Sequence, residues 1–522
     1  MRRLLAAVLG CALVMSAQDR VDLSVLTQIK SEAFENSQVM DHLFYLTDVY
    51  GPRLTNSPGH QAAGDFVVKR LREYGLQNVK EEKWGPFGQG WRLTHFAGHM
   101  IEPQYQPLIG VPLAWTPGTN GVVTGEPVMV SLHSDADFER YRGKLRGKIA
   151  LTMDEKQVAM RTQPLAHRLT DEEMAARGRV DDVSRISIFP MSAPALHPTA
   201  EEREAAAAFQ KKVARFLKDE GVLLILEYGP FGDGGTVFAA NGGSYDRNEP
   251  IPAPMVALTP EHYNRIARLL AHSIPVKLEF DIRAEFLTDS EDSFNVVGEI
   301  PGTTKKGELV MVGAHLDSWQ GGTGATDNGT GSAVAIEAMR ILEALHLPMA
   351  RTVRVALWSG EEQGLLGSKA YVQEHFAKRD SMQLGAEYQK LSAYYNDDMG
   401  TGRFRGISVD GNDMARPIFE EWARPLRDLG FTAVIGTTAP SSKQPEGTDH
   451  TSFTWIGLPG FTFIQDPMEY FTRTHHSNMD VYDRVQPGDL MQAAAIEAWF
   501  VYNTAVRKDM MPRMAMPAAV KN

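Results

Sequence analysis

The 522-residue sequence contains a single cysteine, Cys11. It lies in an amino-terminal run that reads as an export signal, so the mature chain is expected to have neither disulfides nor thiolate metal sites. Any metal must then sit on imidazole and carboxylate groups. Also missing is an uninterrupted apolar stretch of roughly eighteen residues, the length a helix needs to span a bilayer. Positive charge is in deficit: 53 Lys plus Arg stand against 65 Asp plus Glu, a formal net charge of −12. That balance disfavours nucleic acid and anionic membrane as general partners. Nor is there a Gly-x-Ser-x-Gly elbow or a His-Glu-x-x-His helix, and the glycines of Gly321-Gly322-Thr323-Gly324 lack phosphate- or dinucleotide-binding spacing. The commonest rival hydrolase patterns are thereby removed.

Met1-Arg2-Arg3, an apolar run over 4–15 and then Ser16-Ala17 follow the order of a secretory signal, with cleavage expected after Ala17. Export to a periplasm or the medium is preferred to a lipid anchor on Cys11, because residues 12–15 stay apolar where a lipoprotein turns polar. The length implies two or three domains. Residues 18–109 read as the first part of a catalytic domain, with a helix over 60–74. Residues 110–286 alternate short β-type runs with Gly and Pro turns and read as an inserted β-rich domain. From 287 to 508 the pattern is strand, loop, helix, repeated, and 509–522 form a Met/Pro-rich tail expected to be disordered. The fold class is therefore α/β: a mixed central sheet flanked by helices on both faces, whose ligands bind beyond the carboxyl ends of the strands.

Just past the strands predicted over 308–314, 352–358, 391–395 and 461–464 come His315-Leu316-Asp317, Thr326-Asp327-Asn328, Glu361-Glu362, Asp397-Asp398 and His475-His476. Each is weak alone; Asp327, for instance, precedes a helix and is a natural cap. Five such groups on one sheet edge are not explained by caps and solvated loops. Zinc accepts imidazole nitrogen and carboxylate oxygen, and two His with three carboxylates suffice for two ions. One of the adjacent Glu residues then remains to take a proton from water.

These motifs resemble those of the zinc exopeptidase family that includes bacterial leucyl aminopeptidases and carboxypeptidase Q. His315-x-Asp317, Asp327-Asn328-Gly329-x-Gly331, Glu361-Glu362, Asp398-Met399 and His476 stand in the family's order, and Tyr50-Gly51-Pro52-Arg53 and Ser57-Pro58-Gly59 fit its amino-terminal segment. The likeness runs from about Leu26 to Val506, with the insert resembling a protease-associated domain. It implies two zinc ions bridged by Asp327, with Glu362 and His476 on one, His315 and Asp398 on the other, and Glu361 as general base. It further implies that the Asp317 carboxylate accepts a hydrogen bond from His315, and that His450, in Gly447-Thr448-Asp449-His450, bonds a substrate oxygen. On residues alone Asp397 competes with Asp398 and His475 with His476; family spacing favours the second of each pair.

The implied reaction is hydrolysis of a terminal peptide bond in a peptide or dipeptide. Aminopeptidase, carboxypeptidase and dipeptidase action all suit one metal pair with different pocket walls. Two alternatives share the scaffold: a single-zinc glutaminyl cyclase and a non-catalytic binding protein. The sequence leaves the oligomeric state open, a homodimer included.

Overall fold

The structure, a computed structural model, describes residues 21–177, 200–229, 231–436 and 447–520. The expected export signal and Cys11 lie outside the described residues. Among those described, no helix is long and apolar enough to cross a membrane.

An eight-stranded mixed sheet organises the chain. Its strands, numbered in chain order within this sheet, are β1 (Gln77–Trp84), β2 (Ser293–Ile300), β3 (Lys305–His315), β4 (Arg351–Trp358), β5 (Leu391–Asn396), β6 (Phe404–Ser408), β7 (Ala433–Ile435) and β8 (Gly460–Gln465). Their spatial order is β1-β2-β4-β3-β5-β8-β6-β7, and the central four, β4, β3, β5 and β8, run parallel. Central parallel strands are covered on both faces, which is why Leu309-Val310-Met311-Val312 is a continuous apolar run and not an alternating one. Strand pleating sends Val310 and Val312 to one face, where they pack with Ile336 and Met339 of helix Thr330–Ala344 and with Ile496 and Phe500 of helix Pro487–Val506. Leu309 and Met311 go to the other face, against Tyr371 of helix Leu366–His375 and Phe453. The layered α/β class read from the sequence is the one observed.

The helix expected over 60–74 runs Pro58–Glu73, started by Ser57, whose hydroxyl accepts from His60 N at 3.2 Å, and by Pro58 in the first turn. Between this helix and β2, two smaller sheets form. One has five strands, four of them parallel: Met255–Leu258, Leu224–Tyr228, Ile149–Leu151 and Pro127–Met129, edged by Gly110–Pro112. The other is a four-stranded antiparallel sheet built on Gly90–Glu102 paired with Lys277–Leu287. This pairing begins at Gly90, twenty residues before the boundary expected at 110. Two register shifts and polar residues such as Arg92, Thr94 and His95 blur the strand's alternation in sequence.

The tail also departs from expectation, because the described residues through Val520 lie along the core. Met511 is buried, its N–H donates to Ser392 Oγ at 3.1 Å, and Asn412 Nδ2 donates to Pro512 O at 2.7 Å. Arg513 donates to Leu391 O at 2.6 Å and covers the Tyr388 ring. Composition read the segment as disordered, but its carbonyls and apolar side chains find partners on the protein.

His375, at the end of its helix, joins two carboxylates: Nε2 contacts Glu82 of β1 and Nδ1 lies 3.4 Å from Glu387 Oε2. Burial opposes the charged imidazole, but Glu387 and Glu82 outweigh it and raise its pKa to about 9, while both carboxyls fall to about 2. A His pKa raised above its ordinary 6.5 contributes stability in full below that value and loses it as pH rises through about 9. The wild-type thermal midpoint should therefore exceed that of His375→Gln most near about pH 6, with the gap closing by about pH 10. A gap independent of pH would contradict this assignment.

Candidate metal centre

Parallel strands bring their carboxyl ends to one edge, and the expected residues meet there. His315 is the last residue of β3, level with Trp358 at the end of β4. Glu361 and Glu362 follow β4 after a turn at Gly360, whose φ of +68° is left-handed. Asp397 and Asp398 follow β5 directly. Asp327 lies in the turn Ala325–Gly329 between β3 and helix Thr330–Ala344. It does not cap that helix, since Asn328 Oδ1 accepts from Gly331 N at 2.9 Å and the Asp327 carboxylate faces the imidazoles instead.

His315 Nε2 lies 3.4 Å from Asp327 Oδ1, 3.2 Å from Asp398 Oδ1 and 4.0 Å from Glu361 Oε2. On the other side of Asp327, His476 Nε2 lies 3.2 Å from Asp327 Oδ2 and 3.0 Å from Glu362 Oε2. Two donor sets thus share one carboxylate: His315, Asp327 and Asp398, and Asp327 with His475 and His476. Within each set the donor atoms lie within 4.8 Å of one another. His475 Nε2 is 3.8 Å from Asp327 Oδ2 and its ring stacks on His476 at 3.6 Å, so both imidazoles reach Asp327, while the contact to Glu362 belongs to His476. Of the Asp pair, Asp398 contacts His315. The Asp397 carboxyl has no hydrogen-bond partner, and burial together with the Asp398 charge raises its pKa well above the usual range.

The electrostatics are those of a site short of cations. Burial and then the Asp398, Asp449 and Glu362 charges push Glu361 well above the carboxylate range, against the pull of His315, and Glu362 rises to about 7 chiefly through burial and Asp327. Burial disfavours charge on His315 and His476, yet the carboxylates win and raise both well above ordinary histidine. Asp327 Oδ2 and Glu362 Oε1 are buried without a hydrogen-bond partner. Buried carboxylates in this number require compensating positive charge, and nitrogen–oxygen donor sets of this kind suit zinc.

One expected contact is different. His315 Nδ1 bonds the backbone carbonyl of Asp317 at 2.9 Å, while the Asp317 carboxylate is 3.7 Å away. The tautomer is still fixed, with Nε2 left free to accept. The Asp317 carboxylate instead accepts from Thr55 Oγ1 at 2.9 Å and from the Glu361 and Glu362 N–H groups at 3.3 and 3.4 Å. It therefore shapes the turn that carries both Glu residues. His450 is buried with Nε2 3.2 Å from Asp410 Oδ2. Its neighbour Asp449, passed over in the sequence, is also buried, and its charge acts on Glu361. Burial lifts Asp449 to about 7 against His315. Asp480 Oδ1 accepts from Thr326 N at 2.5 Å and Thr326 Oγ1 at 2.8 Å, tying the Asp327 turn to the His476 segment.

Fold and donor set together define the class: an α/β metallopeptidase. A family model, "Peptidase family M28", matches residues 295–501. Carboxypeptidase Q of Xenopus laevis is 30% identical over 499 residues, covering 95% of this chain and 91% of the relative. The chain belongs to peptidase family M28. Among solved structures, a peptidase M28 precursor from Shewanella amazonensis superposes with a TM-score of 0.66 at 24% identity, covering 96% of this chain and all of that one (100%). The zinc aminopeptidase BSAP from Bacillus subtilis gives 0.55 at 18%, covering 90% and 95%. At these identities the two structures speak for the fold.

Replacing Asp317 by Ala strands the Glu361 and Glu362 N–H groups and the Thr55 hydroxyl. Leaving such buried donors unpaired costs about 1–3 kcal/mol each at most, so a loss of about 2–4 kcal/mol in urea unfolding is expected. A change below about 0.5 kcal/mol, the scale of surface substitutions, would remove Asp317 as the support of that turn.

Proposed function

We propose that this chain is an exported exopeptidase that cleaves the terminal bond of short peptides at a two-zinc centre. The observation that carries the reading is the shared Asp327 carboxylate, with His315 and Asp398 beyond one oxygen and His476 and Glu362 beyond the other. In this assignment His315, Asp327 and Asp398 would hold one ion, and Asp327, Glu362 and His476 the other. The relative named carboxypeptidase Q supports exopeptidase action, and the structural neighbour named a zinc aminopeptidase agrees with that and with zinc.

Zinc, when bound, supplies Lewis acidity to a carbonyl oxygen and makes water easier to deprotonate. Glu361 is the carboxylate left over from ligation, and it accepts a proton from the attacking water at Oε. It then returns that proton to the departing amine as the peptide bond breaks. Its burial beside Asp449 and Glu362 raises its proton affinity, which suits a carboxylate that must take a proton from water. His315 keeps its Nε2 toward the centre because Nδ1 is spent on Asp317 O. The amino-terminal charged and apolar run supports export.

Glu361→Gln should retain its metal and lose roughly two to four orders of magnitude in rate, the range for a lost general acid–base. Near-normal turnover would refute that role. His315→Ala and His476→Ala should each lose tight binding of one zinc along with activity, measured by metal analysis after dialysis. The defining assay is hydrolysis of one dipeptide in free, amino-acetylated and carboxy-amidated forms, with zinc and with chelator. Loss on acetylation alone identifies an aminopeptidase, loss on amidation alone a carboxypeptidase, and loss on both a dipeptidase. Absence of chelator-sensitive turnover across several side chains would overturn the proposal.

A further inference from the structure

His476 adopts a left-handed backbone, with φ of +57°, a conformation that residues other than glycine rarely hold without outside support. Its side chain is about one-third exposed (32%), with the His475 ring stacked on it and Trp319 edge-on at 6.0 Å. Its aim at Asp327 therefore depends on the backbone of 476–478.

That backbone is held by a segment of the inserted unit more than two hundred residues earlier in the chain. Ala239 N donates to His476 O at 2.9 Å, and Asn478 N donates to Val237 O at 3.0 Å. Between them Phe238 and Ser477 form an antiparallel bridge. The Asn478 side chain completes the rung from both ends: Oδ1 accepts from Val237 N at 2.8 Å and Nδ2 donates to Gly235 O at 3.2 Å. Val237 is fully buried, so its N–H has no water to turn to if Asn478 is lost.

We infer that Asn478 is a positioning residue: by clamping 235–239 of the inserted unit across the 476–478 backbone, it sets His476 for metal binding and so makes the inserted unit part of the metal centre. This rests on the two-zinc reading with His476 as a ligand. The clamp belongs to one donor set only. His315 and Asp398 hang from β3 and β5, whose pairing does not involve it.

The test is zinc titration of the metal-free, full-length protein against a chromogenic chelator, with thermal unfolding of the same metal-free samples. Wild type should bind two equivalents. Asn478→Ala should keep one at wild-type affinity and weaken the other at least tenfold, with the metal-free thermal midpoint little changed. Asn478→Asp keeps an oxygen opposite the Val237 N–H and should weaken that site less. Wild-type affinity for both equivalents in the folded Ala variant would overturn the inference. So would equal weakening of both sites alongside a fallen metal-free midpoint in both variants, which marks a contact that serves only the fold. Fewer than two equivalents on the wild type would instead sink the two-zinc reading, and this inference with it.

Discussion

The carboxyl edge of the large sheet is arranged around one buried carboxylate, that of Asp327, which stands between the imidazole of His315 and those of His475 and His476. The burial of charge is the governing constraint, because a carboxylate taken from water without partners is strongly disfavoured. Its support is mostly backbone geometry. Thr326 is gripped by Asp480, and Asn328 donates to Asp397 O at 2.8 Å while accepting from Gly331 N. Gly331 is compelled by this closeness: a Cβ there would lie 2.3 Å from Asp397 O and 2.5 Å from Asn328 Oδ1. The turn holding the bridge and the loop holding Asp398 thus approach as nearly as backbones can, which keeps His315 within reach of both carboxylates.

The same economy of contacts explains what could be read in advance. The central strands announce themselves by runs such as Leu309-Val310-Met311-Val312, and the rule that ligands lie beyond parallel strand ends converts those runs into a list of loops to search. His315, Asp327, Glu361, Glu362 and the pairs Asp397-Asp398 and His475-His476 follow from that search, family spacing favours Asp398 and His476, and the structure brings the donor atoms of these two together with those of His315, Asp327, Glu361 and Glu362. In three dimensions Asp398 meets an imidazole, while Asp397 is buried where its charge acts on Glu497.

What the sequence hid is of two physical kinds. Some contacts depend on which atom of a residue is used: Asp317 offers His315 its carbonyl and offers the Glu361-Glu362 turn its carboxylate, and no spacing rule distinguishes these. Others join residues far apart in the chain. The pairing of Gly90–Glu102 with Lys277–Leu287, the docking of residues 511–513 on β5 and the loop after β6, and the rung between 237–239 and 476–478 all connect segments whose local composition carries no sign of the partner. Asp449 was overshadowed by the more recognisable His450 beside it, although its buried charge is the one that acts on Glu361.

Gathering acids in this way has a thermodynamic consequence for the whole chain. Without a metal ion, burial and the Asp327 charge hold Glu362 near 7, and the carboxylates hold His476 well above its ordinary pKa against its burial, so protons occupy atoms that an ion would otherwise claim. Protons and metal therefore compete for the same atoms, and metal affinity must rise as pH carries these groups through their raised pKa values. An ion that binds the folded chain and not the unfolded one adds to stability by mass action. The elements that would feel this most are those ending at the centre, β3, β4 and β5, and these are also the strands most deeply enclosed between the two helical layers. A site that is costly to the empty fold is in this way built on the part of the fold most able to hold it.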